Sequence, residues 1–449
     1  MAPTNAFTNE HVQDEQPDAE STFVVGDEED RDDAASQEIM TISTAEQELE
    51  PYETLRLRVP QLMRDLFPGY RTEDVDIERI HDGRHNRIIG ITLCKSPPKA
   101  PWYSTRGIHE MIRPCLTGRK NRTSKPKQFV LQIPRNPPQN MHHQVTTLAY
   151  LSYKLEHPVP KVTVFDAGAD NALCHAYMLQ ERLPGQLLSN LWPTLNQAQR
   201  LSATRAISNI VLDIRKIKNK CPGLISIRNS TYDLKRDLVS TETVPIPRTR
   251  PNTHPTSVDD SLSVPQSTRD FLLDLCARQR AHAGVTKLPA CNDLWDKIIK
   301  AIETLHSLGL IPSSSPFHLY HGDFHLHNLL TSVTSESTVE ITGIMDWDLA
   351  FFAPAFLSTR APNFLWTSGD RRGVEDGDAM IGPQDAELLE VKRTFESVVG
   401  DSFLKEANCP GLILARRLFH ILLEGFENGG DIFLAEEIVE EFERSHPLA

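Results

Sequence analysis

Residues 320–330 read YHGDFHLHNLL. Within eleven positions the stretch holds His321, Asp323, His325, His327 and Asn328, and it closes on two leucines. Three readings compete: a metal cluster, a catalytic loop, or a polar turn between strands. Three imidazoles and a carboxylate could supply metal ligands in number. Their H-x-D-x-H-x-H spacing matches no common zinc pattern, and no cysteine or second histidine group lies nearby in the sequence. A polar turn with satisfied histidines stays open.

The next element favours chemistry. Residues 339–350, VEITGIMDWDLA, give an apolar strand through Ile341, Ile344 and Met345 that stops abruptly at Asp346. An acid at the end of a buried strand is expected to need a compensating partner. Magnesium is the usual one, and oxygen ligands suit so hard an ion. Kinase chemistry requires a base for the substrate hydroxyl, an Asn carboxamide on the metal, and a later Asp holding metal between the nucleotide phosphates. Asp323, Asn328 and Asp346 stand in that order.

HGDFHLHN followed by IMDWD resembles the aminoglycoside phosphotransferase family, a branch of the protein-kinase-like fold. The resemblance runs from about residue 60 to 440, outside two low-complexity stretches. LEHPVPKVTVFDAG and YMLQERLPGQLL, further upstream, support it. A protein kinase proper is not matched: no Arg stands between His321 and Asp323, D-W replaces D-F-G, and an A-P-E segment is missing.

The resemblance implies an α+β, two-lobed protein-kinase-like fold. It makes Asp323 the catalytic base and Asn328 and Asp346 metal ligands. His321 braces the loop, and Asp348 caps the following turn or supports the metal. Gln180, Glu181 and Arg182 offer backbone groups to adenine. The turn HDGRHN, 81–86, covers the phosphates. The implied cofactors are ATP and Mg.

The resemblance breaks at the phosphate clamp. The family carries a cation on the third strand, paired with a Glu on the next helix. Here that strand is FVLQIPR, 129–135. Side chains alternate along a strand, so Val130 and Gln132 share a face. Val130 then lies over adenine, Gln132 takes the cation's place, and Gln144 takes that of the Glu. Two neutral amides in place of an ion pair are electrostatically consistent, since losing one partner alone would strand a charge. Two functions follow. One is an ATP- and Mg-dependent phosphotransferase acting on a small-molecule hydroxyl with an altered clamp. The other is a catalytically impaired kinase-like nucleotide-binding or regulatory protein. Retention of Asp323, Asn328 and Asp346 favours the first. The substrate stays open, because fold does not settle function.

The remainder of the chain sets the frame. The net charge is −14, and residues 1–50 hold fifteen acidic residues and one basic one, which leaves 46 of each sign in the other 399 residues. The acidity belongs to a tail, 1–51, expected to be disordered and available to a protein partner. A neutral remainder argues against a nucleic-acid binder. No apolar run approaches the roughly 18 residues of a membrane span. Seven scattered cysteines without a C-x-x-C pair suggest free thiols in a reducing compartment. With no secretory signal at the N-terminus, a cytoplasmic location is expected.

Hydrophobic periodicity divides the chain after the tail. Strand patterns around one main helix place a sheet-rich N-lobe over 52–183, interrupted by a basic loop at about 95–128. A helical C-lobe follows over 184–449. Its helices are expected at 195–217, 293–309, 384–400, 410–427 and 430–445. A disordered insertion is expected at about 237–267, where five prolines cluster from Pro245 to Pro265.

Overall fold

The computed structural model describes residues 51–80, 86–95, 125–135, 141–226, 239–246, 262–286, 291–367 and 379–446. The acidic tail through residue 50, positions 81–85 of the turn expected to cover the phosphates, loop residues 96–124 and positions 247–261 of the proline-rich insertion lie outside these. The chain divides into two units, Met1–Leu57 and Arg58–Ala449. The described part of the first is a single helical turn, Tyr52–Leu55. The second carries the site.

In the second unit, helix α1 (Val59–Leu66) opens with Pro60 in its first turn, where no backbone N–H is needed. A five-stranded antiparallel sheet follows in the order β1-β2-β3-β5-β4. Its strands are β1 (Val75–Arg79), β2 (Asn86–Leu93), β3 (Lys127–Pro134), β4 (Val162–Asp166) and β5 (Tyr177–Glu181). Alternation along β3 buries Phe129, Leu131 and Ile133 on one face and leaves Val130 and Gln132 half-buried on the other. That is the shared face expected of the last two. Helix α2 (Met141–Lys154) links β3 to β4 and packs through Met141 and Leu148.

The C-terminal part is mainly helical. Helix α3 (Gln197–Lys216) starts at Asn196, whose side chain accepts from the Gln199 N–H while Gln199 reaches back to the Asn196 N–H. It buries Thr204, Ile207, Val211 and Ile214 along one stripe, as the period predicts. Helices α4 (Thr268–Thr286), α5 (Asn292–Ser307), α6 (Ala386–Ala407), α7 (Pro410–Glu424) and α8 (Gly429–Ser445) complete it. They enclose an aromatic core that includes Trp295, Phe317, Phe351, Phe395 and Phe419. The small-sheet-plus-helical, α+β arrangement expected of the chain is present.

Three local expectations fail. Helix α4 was not foreseen. It buries Phe271, Leu272, Leu275, Cys276 and Gln279, a helical stripe that includes a cysteine and an amide and so reads weakly as apolar. The helix expected over 293–309 stops two residues early, at Ser307, and Leu308, its C-cap, is exposed. The ends of the proline-rich stretch are ordered. Strand β8 (Leu224–Ile225) pairs with β9 (Thr241–Glu242), and Glu242 bridges Leu262. Val244 and Ile246, which alternate with the prolines in VPIP, are buried, and that burial offsets the entropic cost of ordering the segment.

The site is carried by two small antiparallel arrangements. Strand β10 (Phe317–Tyr320) lies between β7 (Lys218–Asn219) and β13 (Phe351–Ala353). Strand β11 (Leu329–Val333) lies between β6 (Gln186–Leu187) and β12 (Val339–Ile344). The stretch 320–330 therefore connects the end of β10 to the start of β11, with one turn of 3-10 helix at Leu326–Asn328.

Candidate active site

The loop begins with a backbone constraint. Gly322 has φ +88°, and a Cβ there would stand 2.4 Å from the Leu349 Cβ and 2.8 Å from its carbonyl oxygen. Only glycine fits both the conformation and the space. This close approach seats the loop against the segment that follows Asp346.

His321 is buried between loop and strand. Its ring lies 4.3 Å from that of Trp347. The Asp323 N–H donates to Nδ1 at 3.3 Å, and Nε2 stands 3.0 Å from the Met345 carbonyl. One ring nitrogen accepts and the other donates, so the ring is the neutral Nε2–H tautomer. Burial pushes its pKa down to about 4, in agreement. His321 thus ties Asp323 to the end of β12.

Asp323 is half-exposed, with a crowded oxygen and an open one. Asn328 Nδ2 donates to Asp323 Oδ2 at 3.0 Å and to its backbone oxygen at 2.7 Å. His327 Nε2 lies 3.2 Å from the same Oδ2. Among the described residues no hydrogen bond falls on Oδ1. The His327 hydrogen bond, opposed by burial and reinforced by Asn328, holds the carboxyl pKa down to about 2. Asp323 is a carboxylate throughout the neutral range.

Asn328 is buried, its amide nitrogen is committed to Asp323, and among the described residues no hydrogen bond falls on its Oδ1. It lies beside Asp346 across the hairpin ladder. Leu329 faces Ile344, and the Met345 N–H donates to the Asn328 carbonyl at 2.8 Å. Asp346 follows directly. It is exposed rather than buried, so the argument from an uncompensated buried charge does not apply to it. What marks it instead is its backbone: φ is +60°, an uncommon value for a side-chain-bearing residue and a common companion of functional sites. Asp348, two residues on, accepts from Asn86 Nδ2 at 3.5 Å, which brings the start of β2 to this end of the hairpin.

The donor set fits a hard cation. One carboxylate and one amide oxygen are what magnesium commonly takes from a protein, the rest of its shell being water and phosphate. The imidazoles do not form an alternative centre: among the described residues no group of three His, Cys, Asp or Glu side chains is arranged to hold a metal. His325 lies instead against His327 and Phe364, at ring separations of 4.7 and 4.6 Å.

The expected clamp is arranged differently. Gln132 Oε1 accepts from Gln180 Nε2 at 3.3 Å, and no hydrogen bond joins Gln132 to Gln144. The cause is register. Val130 pairs with Gln180 and Gln132 with Met178, which puts Gln180 on the face of Val130 and Gln132. The Gln180 side chain is therefore buried in the sheet. The Glu181 N–H donates to the Lys161 carbonyl, and the Arg182 N–H to that of Gln128. Neither N–H is available to a purine edge. The Arg182 side chain bridges to Glu78 at 2.6 Å. Just beyond, Gly185 turns the chain at φ +105°, where a Cβ would stand 2.4 Å from Thr342 Oγ1.

Sequence reasoning missed two contacts, His327 on Asp323 and Gln180 on Gln132. The first lies within four residues of sequence, but it depends on the loop folding back through an extended His325 into the 3-10 turn at Leu326–Asn328, which no helical spacing signals. The second depended on the β3–β5 register.

A family model described as "Phosphotransferase enzyme family" matches residues 115–357, more than half of the chain. The chain belongs to the phosphotransferase enzyme family. Its two-lobed α+β fold is the kinase-like fold of these phosphotransferases. Among solved structures, aminoglycoside phosphotransferase APH(4)-Ia is 13% identical with a TM-score of 0.44, covering 88% of this chain and 100% of that one. A GDP and kanamycin complex of APH(2″)-IIia is 12% identical with a TM-score of 0.41, covering 87% and 99%. Among curated proteins, this phosphotransferase-family chain is 26% identical over 150 residues to "Altered inheritance of mitochondria protein 9, mitochondrial" of Debaryomyces hansenii, covering 32% of this chain and 19% of the relative. The protein of that name in Saccharomyces cerevisiae is 23% identical over 206 residues, covering 42% and 28%. The chain thus spans less than a third of the length of these relatives. Their printed name contradicts the expected cytoplasmic location. Free thiols argue for a reducing compartment, and that property does not single out the cytoplasm.

Proposed function

We propose that this chain is an ATP- and Mg-dependent phosphotransferase acting on a hydroxyl of a small molecule. The carrying observation is the division of labour at Asp323: Oδ2 is held by Asn328 and His327, and among the described residues no hydrogen bond falls on Oδ1. A base needs one such oxygen within reach of the proton it takes.

Asp323 Oδ1 accepts the hydroxyl proton as the new O–P bond forms. The bridging P–O bond of ATP breaks with its electron pair leaving on ADP. Asn328 Oδ1 and Asp346 would hold the metal, which would supply neutralisation of charge on the phosphates. His321 stays neutral and keeps the loop on the end of β12. Val130 lies over the base of the nucleotide, and Gln132, Gln144, Gln180, Glu181 and Arg182 stand around it. With the Glu181 and Arg182 N–H groups engaged, the purine edge is read by other backbone groups of the β5–β6 link.

A second reading, an impaired nucleotide-binding protein, is favoured by one observation. Gln132, in the clamp position, is neutral and its carbonyl is tied to Gln180. Purified full-length protein incubated with Mg–ATP and pooled hydroxyl-bearing metabolites separates the two. Transfer of the terminal phosphate to a pool, lost in Asp323→Asn, is expected of the phosphotransferase. Nucleotide binding without any transfer supports the second reading.

A further inference from the structure

We infer that His327 is a positioning residue for phosphotransfer: together with Asn328 it fixes Oδ2 of Asp323, so that Oδ1 is the oxygen left for the acceptor hydroxyl. The inference rests on the phosphotransferase reading and deepens it.

The terminal torsion of an aspartate is soft and roughly two-fold. One donor on one oxygen leaves the carboxylate free to swivel about that point. Asn328 supplies the first donor, at 3.0 Å, from the buried side of the loop. His327 supplies a second donor to the same oxygen, at 3.2 Å, from an exposed ring. Two donors from different directions define the plane. The His327 ring is in turn braced: it lies 4.7 Å from His325 at 30°, and His325 lies 4.6 Å from Phe364 at 44°. A row of three rings therefore backs the hydrogen bond and restricts the rotamer that makes it. Reaction geometry is sensitive to such placement, because a displacement of about 1 Å at the reacting atoms can cost on the order of a hundredfold.

The test uses the full-length chain, with water as the phosphoryl acceptor in Mg–ATP hydrolysis, beside nitrogen-15 histidine NMR spectra. The His327 signals are assigned by their loss in His327→Gln. His327→Ala is expected to lower kcat about tenfold, the loss of one hydrogen bond to a charged group, with KM for ATP unchanged. His327→Gln, which keeps a donor at similar reach, recovers most of that loss. Asp323→Asn moves the His327 Nε2 resonance. Equal losses in the alanine and glutamine variants, a change in KM instead of kcat, or an unmoved resonance overturns the inference. If the wild-type chain hydrolyses no ATP, the same kcat and KM comparison is made on transfer to the responsive hydroxyl pool; transfer neither to water nor to any pool fails the phosphotransferase reading while the resonance still decides the contact: a shift on Asp323→Asn upholds it, and none overturns it.

Discussion

Asn328 Nδ2 holds Asp323 twice, donating to its backbone oxygen at 2.7 Å and to its Oδ2 at 3.0 Å. The four residues between them are thereby closed into one rigid loop, and the amide oxygen is left over for a cation. Asn328→Ala removes the loop's internal tie and that oxygen together. It is expected to destabilise the protein by about 1–3 kcal/mol, since the part-buried Asp323 carbonyl loses its donor. Asn328→Asp keeps an oxygen but cannot donate when ionised, and it sets a second carboxylate against Asp323. Urea unfolding of both variants checks this, with the aspartate variant the less stable at neutral pH and partly restored as the pH falls.

The glycine of the loop has a mechanical role. Gly322→Ala asks for a Cβ 2.4 Å from that of Leu349 at φ +88°. The expected loss is about 2–4 kcal/mol, combining left-handed strain with a clash against the β12–β13 link. Thermal unfolding measures it. Gly309→Ala, also at positive φ but with open space around it, costs only the strain, about 1–2 kcal/mol.

Buried histidines set the acid limb of stability. Burial pushes His321 and His318 each down to about 4. Both are neutral in the folded state at pH 7, and unfolding lets them charge near their ordinary value. Their contribution is therefore complete above about pH 6.5 and is lost as the pH falls from there toward 4. By linkage each costs roughly 2 kcal/mol at pH 5. Denaturant midpoints of the wild type should fall over that window, and the slope should flatten in His318→Gln. An equally steep slope in that variant refutes the assignment.

The sheet was legible because period two has a single solution once one face is buried. Phe129, Leu131 and Ile133 announce the core, and Val130 and Gln132 must then face the other way. The long amphipathic helices were legible for the same reason at period 3.6. Helix α4 was not, since its buried stripe includes Cys276 and Gln279 among charged neighbours. The site was legible as a set of residue types, HGD…N and DW, but not as contacts. Asp346 was expected as a buried charge and is exposed with a left-handed backbone. Gln144 was expected beside Gln132, yet strand register delivers Gln180 there. Which amides meet is a property of pairing between strands about fifty residues apart, and no local pattern encodes it.

That register makes its own prediction. If a cation is placed on β3 by Gln132→Lys, its nearest counter-charge is Gln180→Glu rather than Gln144→Glu. The 132/180 double variant should show a coupling energy of about 1 kcal/mol or more in urea unfolding, because residues in contact do not add. The 132/144 double variant should be additive within about 0.5 kcal/mol. The reverse ranking would mean that the β3–β5 pairing is shifted.

The central claim is that Asn328 and Asp346 hold a metal for nucleotide chemistry at the end of the β11–β12 hairpin. A thermal-melt series on the full-length chain tests it most directly, with ATP alone, Mg alone and both, in the wild type and in Asp346→Ala. A ligand that binds only the folded state raises the midpoint, by about 2.7 kcal/mol of added stability at a hundred times its dissociation constant. The expected result is a rise with Mg and ATP together that exceeds either alone and disappears in Asp346→Ala. A wild-type midpoint unmoved by millimolar Mg–ATP, or one that rises equally in Asp346→Ala, would contradict the account.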